Sequence, residues 1–323
     1  MRYLDVGTTR KISKIGLGTW QFGSRDWGYG QQYADQVAHA IVRRALQLGV
    51  TLFDTAEIYG FGRSERILGR ALGEDRESVF LATKIFPLLP VAPVVEQRAV
   101  ASANRLGTSR LDLYQVHQPN PLVRDGTIMR GMDALQRVGL VGEVGVSNYS
   151  LPRWRAAEDA LGSRVLSNQV SYSLAVRSPE RDLLPFAESH DRVVIAYSPL
   201  AQGLLSGRYD RANRPANRVR AANPLFLPDN LDRAAELIGV LREVADAHAA
   251  TPAQIALAWV IHHPAVVAIP GASSAEQLEG NAAAADIQLS DGEYQALRAA
   301  SDRFSPITGP AALPRMARAR LGR

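Results

Sequence analysis

The 323-residue chain contains no cysteine, and only three of its 37 basic residues, Lys11, Lys14 and Lys84, are lysine. The first absence excludes a disulfide scaffold, a thiolate zinc site, a cysteine nucleophile and a CxxC redox pair. The second marks an Arg- and Ala-heavy composition of the kind a GC-rich genome produces, so a net charge of +5 says little about partners. Arg208, Arg211, Arg214, Arg218 and Arg220 cluster in one segment, and Arg315, Arg318, Arg320 and Arg323 in the tail. Neither cluster carries the interleaved aromatics of a base-stacking platform, and no nucleic-acid partner is expected. No apolar run approaches the roughly 18 residues of a membrane-spanning helix, and Met1–Val6 lacks the apolar core of a signal peptide. The expectation is a cytoplasmic protein, away from membranes. HExxH, GxxxxGK and a strand-linked GxGxxG are all missing, so neither metal nor P-loop chemistry is expected.

What the chain does have is alternation. Short apolar runs recur at Ile15–Gly18, Val50–Phe53, Val79–Thr83, Leu111–Val116, Val141–Val146, Val165–Val170, Val193–Ala196 and Val266–Ile269. Amphipathic stretches separate them: Val37–Leu48, Ser64–Leu72, Pro93–Leu106, Thr127–Val138, Leu151–Leu161, Glu180–Ser189, Pro252–His262 and Ala275–Ala285. Val37, Ala38, Ile41, Ala45 and Leu48 show the helical spacing. Eight strand–helix units predict a parallel (β/α)8 barrel of the TIM type. Arg2–Val6 and Lys11–Lys14 flank Gly7 as a β-hairpin capping the N-terminal end, and Leu231–Ala249 and Asp291–Ser301 are extra helices. No linker divides residues 1–323, which read as one domain, with residues 1–14 the cap and 302–323 a tail near the active-site mouth.

In such a barrel, catalytic groups gather at the C-terminal ends of the strands. Asp54, Lys84 and His117 end the second, third and fourth strands, and Tyr59 follows Asp54 closely. A lysine in so lysine-poor a chain is a compact charge that guanidinium cannot imitate. Beside Tyr59, with Asp54 holding it, Lys84 is expected to lower the phenol's pKa and make it a proton donor. His117 then orients a carbonyl oxygen or assists proton transfer. Side chains cannot supply hydride, so a nicotinamide cofactor is implied. Ser147, Asn148 and Gln169 suit its carboxamide, and Tyr197 its ring. Ser198, Leu200, Gln202, Gly203 and Leu205 offer backbone groups to a pyrophosphate, as Gly271 and Ser273 do before a helix N-terminus. Thr19 and Trp20, ending the first strand, complete the cofactor side. Trp20, Phe86 and Gln118 are expected to line the substrate pocket.

The run Phe53-Asp54-Thr55-Ala56-Glu57-Ile58-Tyr59-Gly60, then Ser64-Glu65-Arg66-Ile67-Leu68-Gly69, resembles the signature of the aldo-keto reductases. Lys84, His117, Gly145-Val146-Ser147-Asn148, Tyr197-Ser198-Pro199-Leu200 and Ile269-Pro270-Gly271-Ala272 follow in the family's order across essentially the whole chain. The resemblance is to the bacterial branch similar to potassium-channel β subunits. It implies NADP(H) bound in extended form without a Rossmann fold, and Tyr59 as general acid. Ser273, Ser274 and Gln277 stand where many members place Lys or Arg on the 2′-phosphate, so Arg208 with Arg218 or Arg220 is expected to read that phosphate, alongside Ser273, Gln277 and Asn281. NADPH is thus expected over NADH, with a small carbonyl compound as substrate and a monomer as the favoured state. A cofactor-binding regulatory subunit with incidental turnover is the alternative.

Overall fold

Strand–helix alternation becomes a closed cylinder in the computed structural model, which describes residues 1–24 and 35–321, the side chains of Arg218 and 318–321 excepted. A hairpin comes first, β1 (Tyr3–Leu4) antiparallel to β2 (Ile12–Ser13). The barrel strands are β3 (Leu17–Gly18), β4 (Leu52–Asp54), β5 (Phe80–Ile85), β6 (Leu111–Val116), β7 (Val141–Ser147), β8 (Val165–Ser171), β9 (Val193–Tyr197) and β10 (Val266–Ala268). The helices between them are α1 (Asp35–Gln47), α2 (Arg63–Leu72), α3 (Ala92–Leu106), α4 (Asp125–Arg137), α5 (Leu151–Leu161) and α6 (Leu183–Ser189). After β9 come α7 (Arg218–Ala221), α8 (Pro228–Ala247) and α9 (Pro252–Val260), and after β10 come α10 (Ala275–Ala283), α11 (Asp291–Arg303) and α12 (Leu313–Leu321).

Strands β3 to β10 pair in parallel in chain order. The ring closes where Gly16 N–H donates to Ala268 O at 2.8 Å, Ala268 N–H to Lys14 O at 2.9 Å and Gly18 N–H to Pro270 O at 3.1 Å. Alternate side chains of each strand face inward. Leu52, Phe80, Ala82, Leu113, Ile195 and Val267 form the interior apolar layers with Val6 and Ile12 of the hairpin segment. One step further toward the strands' C-terminal ends, the same inward rows carry Asp54, Lys84, Gln115 and Gln169, all buried. The outward rows, including Phe53, Leu81, Tyr114 and Val146, belong to the larger core under the helices.

Local chemistry explains the element ends. Thr251 and Ser290 form capping boxes with Gln254 and Glu293, starting α9 and α11, and each satisfies two otherwise orphaned donors. At Gly69 an added Cβ would lie 2.5 Å from Leu106 O, so α2 meets α3 at backbone distance. Two expectations need correction. The single helix over 180–189 is a 3-10 turn (Ser178–Arg181) followed by α6, because Asp182 (φ −143°) leaves helical geometry. The helix from Pro252 ends at Val260, short of His262.

The hairpin end of the cylinder is tied by charge. Lys14 Nζ donates to the carbonyls of His263, Pro264 and Val266 at 3.0, 2.6 and 2.9 Å. Buried Asp112 accepts from Arg10 at 2.7 Å and Leu81 N–H at 2.9 Å, and pairs with Arg76 at 2.8 Å. No helix among the described residues is long and apolar enough to cross a membrane.

Candidate active site

At the opposite rim, β4 ends on Asp54 and β5 carries Lys84 in the neighbouring row, and both side chains are essentially inaccessible to solvent. Lys84 Nζ donates to Asp54 Oδ1 at 2.6 Å, to Thr55 O at 2.7 Å and to Tyr59 OH at 3.5 Å. Its three donors are thereby distributed, and the ammonium sits 5.0 Å from the centre of the Tyr59 ring. The other Asp54 oxygen accepts from Gln169 Nε2 at 2.8 Å and Gln115 Nε2 at 3.4 Å. The carboxylate is thus hydrogen-bonded at both oxygens, and it is the buried partner of the Lys84 ammonium.

His117, one residue past β6, stands edge-on to Tyr59 with ring centres 5.7 Å apart. Phe86 lies edge-on to His117 at 6.1 Å, and Trp20, 43% exposed, faces Tyr59 at 6.4 Å. Trp20 and His117 therefore flank the phenol ring, with Phe86 against the far side of the pair at His117. Gln118 is exposed at the same strand end.

Electrostatics correct one expectation. Burial pushes the Tyr59 pKa above its ordinary 10, and the neighbouring Lys84 opposes that rise without cancelling it. The Lys84 pKa is itself raised, Asp54 and Tyr59 outweighing its burial. So Tyr59 rests as a neutral phenol, and the ammonium acts on the negative charge that appears as the proton leaves. His117 falls to about 3, because it is buried and faces Lys84. Its Nδ1 is buried without a partner among the described residues. His117 is thus a neutral imidazole at any working pH.

This has a thermodynamic consequence. The folded pKa lies below the unfolded value of about 6.5, so the unfolded chain takes up the proton first. Stability is then lost as pH falls from 6.5 toward 3. Between pH 7 and pH 5, His117 accounts for up to about 2 kcal/mol of that loss. Urea unfolding of His117→Asn at those two pH values is expected to show a correspondingly smaller decline than the parent chain.

The other anticipated residues divide. Asn148 (φ +61°) follows β7 and is fixed from three sides. Its Nδ2 donates to Ser147 Oγ at 3.1 Å and His117 O at 3.4 Å, and its Oδ1 accepts from Tyr197 OH at 3.0 Å. Ser147 donates to Gln169 O at 2.9 Å. Ser147, Asn148 and Tyr197 thus form one hydrogen-bonded wall, while Gln169 turns its amide to Asp54. Thr19 is buried, with its hydroxyl between Ser64 Oγ (2.8 Å) and Asp54 O (3.0 Å), so that side chain braces the rim from inside.

After β9, Ser198, Ala201 and Gln202 adopt left-handed backbone (φ 49°, 48° and 56°) and Gly203 reaches φ 99°. Gly203 N–H donates to Leu200 O at 2.8 Å and Leu205 N–H to the same oxygen at 3.3 Å. Those two N–H groups, expected to face a pyrophosphate, are spent inside the turn, and the Leu205 side chain is core. Arg220 Nε holds Gln202 O at 2.9 Å and Asn223 holds Gln202 Oε1 at 3.1 Å, pinning the loop. Arg208 is exposed, its guanidinium making no hydrogen bond or ion pair among the described residues, and the Arg218 side chain lies outside those residues. At the start of α10, Gln277 Oε1 accepts from Ser273 N–H at 2.9 Å, and Asn281 donates to Gly271 O at 3.3 Å. Gln115, Thr55 and Ser64 were not anticipated. For Gln115 the inward parity with Leu113 was the available signal.

The chain as a whole is similar to known proteins. The model of the aldo/keto reductase family matches residues 14–302. An uncharacterized oxidoreductase of Mycobacterium tuberculosis (strain H37Rv) is 57% identical over 323 residues, all of both chains. The methylglyoxal reductase YeaE of Escherichia coli K12 is 34% identical over 287 residues, 88% of this chain and 90% of that one. The crystal structure of an aldo/keto reductase from Klebsiella pneumoniae with NADP and acetate superposes with a TM-score of 0.72 at 33% identity, covering 92% of this chain and 93% of that one. The chain belongs to the aldo/keto reductase family, and it is an NAD(P)H-dependent oxidoreductase on a (β/α)8 barrel.

Proposed function

We propose that the protein reduces an aldehyde or ketone to the alcohol, with NADPH as the preferred cofactor and Tyr59 as the proton donor. The observation that carries this reading is the contact of a buried, fully paired ammonium, Lys84, with a phenol flanked by the rings of Trp20 and His117. Tyr59 OH and the neutral His117 converge on the place where a carbonyl oxygen binds. Tyr59 gives that oxygen its proton, and Lys84 offsets the charge left on the phenolate. Asp54 holds Lys84 in the required geometry, and Gln169 and Gln115 hold Asp54. Trp20 and Phe86 exclude water around the reacting centre.

The chain's donor set fits a nicotinamide nucleotide. Ser147 and Asn148 sit one strand along from His117, placed to hold a carboxamide, and Tyr197 is half-buried beside them as a flat partner for a ring. The N-terminus of α10 suits a phosphate. When bound, the nicotinamide supplies the hydride. Arg208, exposed and with a guanidinium unengaged among the described residues, suits the 2′-phosphate, with Arg218, Ser273, Gln277 and Asn281 as its companions. The tail beyond Ser305 is held to α8 through Asn230 and Ile307 and is proposed to border the cleft.

Consumption of NADPH in the presence of methylglyoxal, the substrate named for the Escherichia coli relative, tests the reading directly. Failure to turn over this and a broad carbonyl panel would refute it. Arg208→Ala is expected to weaken NADPH binding about tenfold and leave NADH binding within twofold, since a phosphate contact is worth roughly 1–3 kcal/mol. Fluorescence titration with both nucleotides reads the difference, and equal losses would remove Arg208 from phosphate recognition.

A further inference from the structure

Two residues before Tyr59, Glu57 buries its carboxylate among groups that the proton relay does not use. Glu57 N–H donates to Lys84 O at 3.3 Å, which docks the loop after β4 onto the end of β5. Its Oε1 accepts from Phe86 N–H and from Arg98 Nη2, and its Oε2 accepts from Arg98 Nε at 2.9 Å. Arg98, on α3, also donates through Nη1 to Phe86 O at 2.8 Å and Leu88 O at 3.3 Å. One carboxylate and one guanidinium therefore bind the loop of Tyr59, the loop of Phe86 and a barrel helix into a single unit.

The pair is largely withdrawn from solvent, with 9% of the Glu57 side chain and 26% of the Arg98 side chain exposed. Burying an ion pair costs desolvation that apolar residues of similar size avoid, so it is weak evidence of a stabilising role. What it provides is geometry. The planar fork of arginine fixes both oxygens of one carboxylate at once, and its remaining donors fix the backbone on which Phe86 stands. Phe86 contacts His117, and His117 contacts Tyr59, so the clamped loops flank the reacting centre on two sides.

We infer that Glu57 and Arg98 are a positioning pair for carbonyl reduction, holding the Tyr59 loop and the Phe86 wall at a fixed separation. The inference rests on the reading of Tyr59 as proton donor. Neither residue is a catalytic one, since each acts through the groups it holds.

A double-mutant cycle tests it, with NADPH and methylglyoxal as probes. Glu57→Gln retains an acceptor for Phe86 N–H and loses the charged fork. Its kcat is expected to fall about tenfold, as small misplacements of a reacting group do, with the NADPH dissociation constant within twofold of the parent. In a Tyr59→Phe background the same substitution is expected to change residual turnover by less than twofold, because the group it positions is gone. Arg98→Met should repeat the pattern, with Arg98→Lys recovering part of the loss, and it serves the cycle should Glu57→Gln fail to fold. Equal losses in both backgrounds, or an unchanged kcat in folded Glu57→Gln and Arg98→Met, would overturn the positioning role while leaving Tyr59 as donor. A Tyr59→Phe variant as fast as the parent would overturn the donor reading itself, and the positioning pair with it.

Discussion

Replacing Tyr59 by phenylalanine is expected to lower kcat for aldehyde reduction by roughly 10²- to 10⁴-fold, the usual contribution of a positioned general acid. The substitution removes one oxygen, which Lys84 Nζ approaches at 3.5 Å, and leaves the ring between Trp20 and His117. Folding stability and NADPH affinity should stay near those of the parent, so the loss falls on the chemical step. Because burial holds the phenol above its ordinary pKa, the reductive rate should also persist into the alkaline range, failing only where Tyr59 ionises. Steady-state kinetics across pH, with a parallel nucleotide titration, decides the matter. A variant retaining a tenth or more of the parent kcat would show that the proton comes from elsewhere.

Lys84→Met should damage both activity and stability. Without the ammonium, Asp54 keeps its two glutamine donors and loses the charge that compensates it in a solvent-free interior. Removing one partner of a buried pair typically costs about 3–5 kcal/mol. Adding Asp54→Asn to Lys84→Met is expected to recover most of that stability, because the uncompensated charge disappears, and to recover none of the turnover. Urea unfolding and NADPH consumption measured on the parent and the two variants separate the two effects. A single Lys84→Met variant as stable as the parent would show that the Lys84–Asp54 pair does not support the fold.

The barrel was legible because its strands are short apolar runs at regular spacing, and the proximity of Asp54, Tyr59, Lys84 and His117 because polar side chains stand at consecutive strand ends. Lys84 was conspicuous through scarcity alone. Partner choice was less accessible. Gln169 has the right chemistry for a carboxamide, yet its amide goes to Asp54, and only the register between β4 and β8 reveals that. The spent N–H groups of Gly203 and Leu205 follow from a run of left-handed residues that includes non-glycine positions, where sequence gives no warning. The direction of the Tyr59 shift depended on whether burial or a nearby ammonium weighs more, a comparison of magnitudes that needs distances. The Glu57–Arg98 pair spans 41 positions, beyond the reach of local pattern.

Closure of the sheet also constrains the birth of the molecule. The seam joins residues 14–18 to 268–270, so a nascent chain has both seam edges exposed until most of its length has left the ribosome. Unpaired strand edges invite association between chains. Crowded translation is therefore where this enzyme is most exposed to aggregation, and slowing synthesis late in the message, which prolongs the open-edged state, should lower its soluble yield.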